Sequence, residues 1–167
     1  LKNLKRNCDF RSIGPLMQPI NRRISTPITK ILARWGITPN QVTFLGLSAG
    51  LLAAGFFAQG TSAAWMWGAL FFQISYILDN CDGELARMTG KTSGLGSWLD
   101  VISDALVHCA FFWGLAGGLE RFGPGAGWIR LGWTAAGAIV FSYVAYVIEQ
   151  VQLRGREALE HPDPPHG

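Results

Sequence analysis

The longest charge-free stretch of the sequence constrains the fold most. Between Arg34 and Asp79 there is no aspartate, glutamate, lysine or arginine. This stretch is too long for one membrane helix, which needs about 20 apolar residues. A small polar break at residues 60–62 divides it, and such breaks are typical of turns. The stretch therefore predicts two membrane spans joined by a tight turn, at residues 41–60 and 63–82.

Two further charge-free stretches complete the pattern. One follows Asp104 and the other follows Arg130. Thr38 and Gln41 have the spacing of a helix capping box and predict a defined start for the first span. With 49% hydrophobic and 15% charged residues, the composition excludes a disordered chain and disfavours a soluble globular protein. We therefore predict an all-α integral membrane protein, a helical bundle with four membrane spans. The third and fourth spans are predicted at residues 98–119 and 131–150.

The segment before the first span predicts an amphipathic helix. Apolar residues recur at helical spacing opposite basic ones, and Thr26-Pro27 is the predicted start of the helix. This pattern is typical of a helix that lies among lipid headgroups, while packing on a further domain is the alternative. The apolar positions are Ile24, Ile28, Ile31, Leu32 and Trp35. We divide the chain into a cytoplasmic or interfacial segment, a transmembrane bundle and a polar tail, at residues 1–37, 38–152 and 153–167.

The distribution of basic residues predicts the orientation. With the N-terminus in the cytoplasm, only Arg121 and Arg130 of the 14 lysines and arginines lie outside. The same residues form a belt facing the membrane rather than a patch interleaved with aromatic side chains, so nucleic-acid binding is not expected. The ends of the second and third spans are therefore predicted to lie at the cytoplasmic face.

Four aspartates lie at these two span ends. Asp79 and Asp82 are three residues apart and share one helix face, while Asp100 and Asp104 are four apart and share another. Charged residues inside a membrane are costly and seldom lack a role. Clustered carboxylates repel one another at reduced dielectric unless cations neutralise them. The two pairs therefore predict a divalent-metal cage, and aspartates that simply face headgroups and water are the alternative.

The residues around the aspartates favour a diphosphate ligand. Oxygen-only ligands favour Mg²⁺ or Mn²⁺ over zinc, and the cage has the scale of two ions. Gly83 and Gly96 leave bare backbone beside it, and Arg87 offers a planar fork suited to phosphate oxygens. His108 lies one turn beyond Asp104; it either orients a reacting group or is an ordinary interior histidine.

These positions together form a spaced signature. The pattern Asp79-x2-Asp82-Gly83-x2-Ala86-Arg87-x8-Gly96-x3-Asp100-x3-Asp104 resembles that of the CDP-alcohol phosphotransferase (CDP-alcohol phosphatidyltransferase) family at every fixed position. The resemblance implies that the motif lies on the second and third membrane helices. It also implies that a hydroxyl of one alcohol displaces CMP from a CDP-linked alcohol, the reaction that makes phospholipid head groups.

The resemblance also implies roles for individual residues. Asp79, Asp82 and Asp100 are similar to the family's metal ligands, and Asp104 is similar to its general base, which also contacts a metal. Chemically, bound metal ions would neutralise the diphosphate while a carboxylate takes the proton of the incoming hydroxyl.

Further positions resemble those that hold the CDP moiety in the family. At the start of the first span, Asn40 and Thr43 are similar to a segment that helps to hold the nucleotide; helix capping and a threonine bonded to its own helix are the alternatives. The matching positions inside the signature are Gly83, Ala86, Arg87 and Gly96.

Two expectations concern the whole protein. Family members typically have six membrane helices, so four predicted spans lead us to expect a longer natural chain. The resemblance also implies a homodimer. The small-residue pairs Gly46-x3-Gly50 and Gly114-x3-Gly118 permit close helix contact, either between subunits or within one.

The substrates stay open at this stage. A site at the membrane face favours a lipid donor, CDP-diacylglycerol. The segments INRRIS and ITPNQVT are similar to members that handle inositol phosphates, so a CDP-inositol-type polar donor with a phosphorylated inositol acceptor is the alternative. Alternatives of another class are an aromatic prenyltransferase and a membrane cation carrier or channel, neither of which releases CMP.

Overall fold

The structure, a computed structural model, describes residues 18–160 except 124 and 126, and the side chains of residues 23–153 within that range. It contains five α-helices and, in the part described, no strand. The helices are α1 (Gln18–Arg34), α2 (Pro39–Phe57), α3 (Ser62–Thr89), α4 (Gly94–Phe122) and α5 (Trp128–Glu160).

The all-α membrane fold is confirmed. Among the described residues, α2, α4 and the Trp128–Leu153 part of α5 are long and apolar enough to cross a membrane. The second predicted span lies in α3, which is long enough but is not among these three helices. Polar residues such as Gln73 and Asp79 lower its hydropathy, and α3 packs against both α1 and α2. Three of the four predicted spans therefore lie in helices that are long and apolar enough, and the remaining one lies in α3, a more polar helix of the same bundle. That α3 also crosses the membrane stays a prediction.

Turn chemistry brings the signature onto two adjoining helices. The Gln41 side chain accepts a hydrogen bond from the Thr38 backbone N–H at 2.9 Å, as a capping box at the start of α2 requires. Helix α3 continues beyond residue 82, the predicted end of its span, and stops at Gly90, whose φ of 67° favours glycine. Ser93 caps α4 by accepting a hydrogen bond from the N–H of residue 96. Only residues 90–93 therefore separate the two helices.

Glycines let α2 and α4 approach closely. A Cβ added to Gly114 would collide with the carbonyl of Ala54, and one added to Gly118 would collide with the carbonyl of Phe57. On α2, a Cβ added to Gly50 would collide with the Val107 side chain of α4 at 2.6 Å, while one added to Gly46 would make ordinary contacts with α3. Both small-residue pairs are therefore used within one subunit, which was one of the two alternatives that the sequence left open.

Helix α5 packs against α4 and leaves much of its surface uncovered by the described residues. Phe141 is 75% exposed, and Trp133 and Ile148 are also more than half exposed. A row of large apolar side chains is stable in contact with hydrocarbon, so this surface suits lipid or other membrane helices.

The start of α1 differs from the prediction. The helix begins at Gln18, and Pro27 lies inside it, so the predicted start at Thr26-Pro27 is wrong. Proline lacks the N–H that would bond to the carbonyl four residues earlier. Pro27 lies on an exposed face, where that carbonyl can bond to solvent or headgroups. Pro27, which the sequence predicted to lie in the first turn, therefore lies in the interior of α1.

The apolar stripe of α1 is divided between two environments. Ile28 and Leu32 pack against the buried cluster of Val42, Cys81 and Leu85. The other apolar positions, Ile24, Ile31 and Trp35, are 43%, 46% and 74% exposed. The exposed part has the character of a membrane-surface helix, so the interfacial placement stays a prediction.

Polar side chains fasten α1 to α3. The hydroxyls of Ser25 and Thr26 lie 3.2 and 3.4 Å from Glu84 Oε1, and the hydroxyl of Thr29 lies 3.2 Å from Oε2. Ser25 and Thr29 are buried, with 1% and 0% of their surface exposed. Because Glu84 is two residues beyond Asp82, this contact fixes α1 beside the aspartate-bearing part of α3.

We expect Glu84→Ala to lower the stability of the fold by about 2 kcal/mol, because hydrogen bonds to a charged acceptor contribute more than neutral ones and buried hydroxyls would lose their partner. The measurement is denaturant unfolding in detergent, followed by tryptophan fluorescence, which includes Trp35 at the end of α1. Glu149→Ala, at an exposed position of α5, is the matched control. Equal stability of the two variants would contradict the expectation.

Candidate metal and substrate site

Three aspartates meet where α3 and α4 adjoin. Carboxylate oxygens of Asp79, Asp82 and Asp100 all lie within 4.8 Å of one another. Asp79 and Asp82 come from successive turns of α3, and Asp100 comes from the second turn of α4. The structure thus brings together three of the four predicted metal-binding residues, while Asp104 lies one turn further along α4 and outside this cluster.

Protein groups offset the charge of this cluster only in part, through the electrostatic interaction of Arg87 with Asp100. Asp82 is only 5% exposed. Within the described part of the chain, no lysine or arginine forms an ion pair with the three carboxylates. Like charges held this close at reduced dielectric repel strongly. Because the donors are all carboxylate oxygens, with no histidine or cysteine among them, the cluster fits a hard divalent cation.

Thr43 fixes one of the aspartates. Its hydroxyl donates to Asp82 Oδ2 at 2.6 Å and also lies 3.1 Å from the carbonyl of Pro39. With 7% of its surface exposed, Thr43 is held between α2 and α3. Both sequence interpretations of Thr43 hence describe part of its environment: it faces the site and it contacts its own helix. The direct contact with Asp82 was not anticipated.

The remaining signature residues of α3 follow Asp82 along the helix and do not line the cavity described below. Gly83 and Ala86 are partly buried, and Arg87 is exposed. A Cβ added to Gly83 would lie 3.4 Å from Arg87 Nη1, so the guanidinium folds back over the bare backbone one turn earlier. A cationic fork beside the carboxylate cluster is suited to the oxygens of a phosphate group.

Two further predicted residues meet where α2 and α4 begin. A Cβ added to Gly96 would lie 3.4 Å from Asn40 Oδ1 and 3.0 Å from Ser93 Oγ. Asn40 and Gly96 are far apart in the sequence and were predicted separately as contacts of the CDP moiety. The structure places them side by side, where a side chain larger than glycine would fill the space.

Asp104 has its own set of partners. The phenol of Tyr143 on α5 donates to Asp104 Oδ2 at 3.0 Å. His108 Nδ1 lies 2.8 Å from the backbone carbonyl of Asp104 and 4.0 Å from its Oδ1. Asp104 thus lies near enough to interact electrostatically with the other three aspartates, but it alone of the four bonds to α5 in the described part of the chain.

A cavity of about 160 Å³ joins the aspartates to the interior of the bundle. Asp79, Asp82 and Asp104 line its polar part, while Leu47 and Phe72 are among its apolar walls. His108 also lines it, so this histidine faces the candidate site. The cavity thus places carboxylate oxygens next to apolar side chains. It suits a ligand in which a polar reacting group is attached to an apolar or neutral part.

Two contacts of this region were missed in the sequence. Tyr143 sits in an apolar span, where a side chain with one polar atom signals a partner. Glu84 lies between fixed positions of the signature, and its hydroxyl partners on α1 share a helix face. Neither pairing is visible in the sequence, because both join helices that are distant along the chain.

A bundle of apolar helices with an acidic cluster between two of them defines a polytopic membrane protein with a candidate metal site. The profile of the CDP-alcohol phosphatidyltransferase family matches residues 36–159, from the start of α2 nearly to the end of α5. The chain belongs to this family. The resemblance seen in the aspartate signature is thereby confirmed over most of the sequence.

Similar proteins have related names. The archaetidylinositol phosphate synthase of Pyrococcus horikoshii is 37% identical over 112 residues, which are 64% of this chain and 57% of that protein. The phosphatidylinositol phosphate synthase of Cutibacterium acnes is 34% identical over 142 residues, 80% of this chain and 64% of that one. A bifunctional IPC transferase and DIPP synthase of Aquifex aeolicus is 33% identical over 78% of this chain and 29% of its own length. The matched region thus spans about three fifths of the two synthases.

Proposed function

We propose that the protein transfers a substituted phosphate group from a CDP-alcohol to the hydroxyl of a second alcohol, with release of CMP, in phospholipid synthesis. The observation that carries this proposal is the convergence of Asp79, Asp82 and Asp100 within 4.8 Å at the signature of a family of CDP-alcohol phosphatidyltransferases. Membership of this family favours a transferase over an aromatic prenyltransferase or a cation carrier.

The metal in this proposal is Mg²⁺ or Mn²⁺, as two ions. Asp79, Asp82 and Asp100 would hold it, and Asp104 would be a further ligand, as the family resemblance implies. When bound, such ions neutralise the diphosphate of the donor and stabilise the charge that develops on the leaving CMP. Thr43 holds the carboxylate of Asp82 in place through its hydrogen bond.

Asp104 is the proposed general base. It accepts the proton of the acceptor hydroxyl, whose oxygen forms a bond to the phosphorus that carries the donor alcohol. The bond from that phosphorus to the bridging oxygen of the diphosphate breaks, and its electron pair leaves with CMP. General-base catalysis of this kind contributes about 100- to 10,000-fold.

The remaining signature residues hold the donor. Arg87 binds phosphate oxygens, and Gly83, Ala86 and Gly96 let the nucleotide lie against the backbone. Asn40 lies beside Gly96, and this proximity supports a contact of Asn40 with the same nucleotide. Substituting either glycine with a bulky residue would obstruct this surface.

For the substrates, an inositol phosphate is the proposed acceptor and CDP-diacylglycerol the proposed donor. The support for the acceptor is that two similar proteins are named as synthases of an inositol phosphate lipid. The apolar walls beside the aspartates, and the apolar helices around them, suit a lipid donor. A CDP-inositol-type donor is the second candidate, because other relatives carry a DIPP synthase activity in their names.

The site is proposed to face the cytoplasm, where twelve of the 14 lysines and arginines would then lie. A homodimer is proposed from the family resemblance alone, since the small-residue pairs are already used inside the subunit. Either proposal can be tested in the natural membrane, by thiol labelling from each side and by crosslinking.

The proposed function is tested by measuring CMP release from CDP-diacylglycerol by the purified protein with Mg²⁺ and inositol phosphate. Glycerol phosphate, serine and inositol are compared as acceptors, and CDP-inositol is compared as donor. We expect CMP release that depends on inositol phosphate, and that Asp104→Asn lowers it by about 100-fold or more.

Each outcome of this assay is decisive for one part of the proposal. Release only from CDP-inositol would move the donor from a lipid to a polar alcohol. Release with another acceptor would correct the acceptor. No CMP from any pair in the intact protein would overturn the proposed reaction.

A further inference from the structure

Tyr143 is the polar contact that α5 makes with the candidate base. Its hydroxyl lies 3.0 Å from Asp104 Oδ2, and the two residues are 39 positions apart in the chain. The tyrosine is partly buried on a helix that is otherwise rich in aliphatic and aromatic residues. A buried phenol needs a hydrogen-bond partner, and a carboxylate is a strong one. The pairing therefore ties the position of α5 to the orientation of one carboxylate.

His108, one turn further along α4, lies against the same part of the helix. His108 Nδ1 lies 2.8 Å from the Asp104 backbone carbonyl, and its ring packs near those of Phe72 and Tyr143, with centroids 6.3 and 6.4 Å away. The backbone of Asp104 is thus fixed within α4, and its side chain is bonded to Tyr143 of another helix. Because Asp104 lines the cavity, fixing its carboxylate decides which oxygen is presented to a bound molecule.

We propose that Tyr143 is a positioning residue for the reaction. By donating to Oδ2 it sets the rotation of the Asp104 carboxylate and leaves Oδ1 as the oxygen that accepts the proton of the acceptor hydroxyl. This inference rests on the proposed function of Asp104 as general base. It assigns to α5 a part in catalysis that the signature on α3 and α4 does not contain.

The competing explanation is that the tyrosine only fills space between α4 and α5. A phenylalanine fills the same space without the hydroxyl, so the two explanations differ sharply for Tyr143→Phe. A packing role predicts no change in activity. A positioning role predicts a lower rate of the chemical step, with substrate binding left intact.

The test compares Tyr143→Phe with wild type in the CMP release assay. We expect kcat to fall by about 10- to 100-fold, less than the whole contribution of a general base because the carboxylate is still present. The KM for the donor and the Mg²⁺ concentration at half-maximal rate should stay unchanged. Thr134→Val is the matched control, since it removes a hydroxyl on α5 that bonds to Leu131 of the same helix.

The contact itself is measured without activity. Tyr143 is replaced by 3-fluorotyrosine, and its ¹⁹F resonance is recorded in the otherwise unaltered protein and in Asp104→Ala, with Glu149→Ala as control. We expect the resonance to shift when Asp104 is removed and to stay in place in the control. This measurement distinguishes absence of the Tyr143–Asp104 contact from absence of CMP-releasing activity.

Four outcomes would overturn the inference. Unchanged kcat in Tyr143→Phe would assign the residue to packing. A shifted Mg²⁺ requirement with unchanged kcat would place its effect on the metal site. A ¹⁹F resonance that does not shift when Asp104 is removed would show that the two side chains are not in contact. If the ¹⁹F response were as expected but the wild-type protein released no CMP, the proposed function would be overturned. The contact between Tyr143 and Asp104 would then exist without a catalytic role.

Discussion

Asp82→Asn is expected to lower metal-dependent CMP formation by about 100- to 1,000-fold, the loss found when one preorganised electrostatic group is removed from a reacting centre. Asp82 is the most buried member of the acidic cluster, and its orientation is fixed by Thr43 at 2.6 Å. Asparagine keeps nearly the same shape but loses one negative charge and one anionic ligand. The measurement is CMP release as a function of Mg²⁺ concentration, together with Mn²⁺ binding followed by electron paramagnetic resonance.

The control for this substitution is Glu149→Gln, an acid-to-amide change at an exposed position of α5. It should leave both the rate and the Mn²⁺ affinity near wild type. If Asp82→Asn kept the wild-type rate and bound Mn²⁺ equally well, the acidic cluster would not be the metal site. If Mn²⁺ binding weakened while the rate was unchanged, the metal would not take part in the reaction.

Gly118→Ala is expected to destabilise the bundle by about 3 kcal/mol or more, because overpacking against rigid backbone costs more than displacing a side chain. The added methyl group would collide with the carbonyl of Phe57, so α2 and α4 would have to separate. This separation would also move α2, which carries Thr43, relative to α4, which carries Asp100. The measurement is the melting temperature in detergent and the fraction of protein that stays monodisperse after heating.

Gly117→Ala is the matched control, one residue away on the same helix. A Cβ at this position meets nothing within 4 Å. Alanine there should be neutral or stabilise α4 by up to about 1 kcal/mol through its higher helix propensity. Similar melting temperatures for the two variants would show that α2 and α4 do not pack as closely as the structure has them.

Much of the fold could be predicted because the bilayer imposes a simple rule. Long charge-free stretches must be helical and must be about 20 residues or more in length, so their limits are visible in the sequence. The predicted spans at 41–60, 98–119 and 131–150 fall within α2, α4 and α5 apart from a few terminal residues. The least accurate parts were the ends, where turn chemistry decides: Gly90 lets α3 continue past 82, and Pro27 sits inside α1.

The candidate site was predictable where it depends on local spacing. Asp79 and Asp82 must share a face of one helix, and Asp100 and Asp104 a face of another, because the helical period fixes this. The predicted spans left residues 83–97 between the two helices, and the structure shortens this connection to residues 90–93. The sequence therefore determined that carboxylates of α3 and α4 would face each other.

Tertiary structure alone decided how those carboxylates are divided and held. Asp79, Asp82 and Asp100 form the cluster, while Asp104 turns to Tyr143 on α5. Helical periodicity cannot give the relative rotation and depth of distant helices, since these are set by close packing at glycines such as Gly114. For this protein, the sequence determined the helices, the signature and the family, and the packing of the helices decided which side chain orients each reacting group.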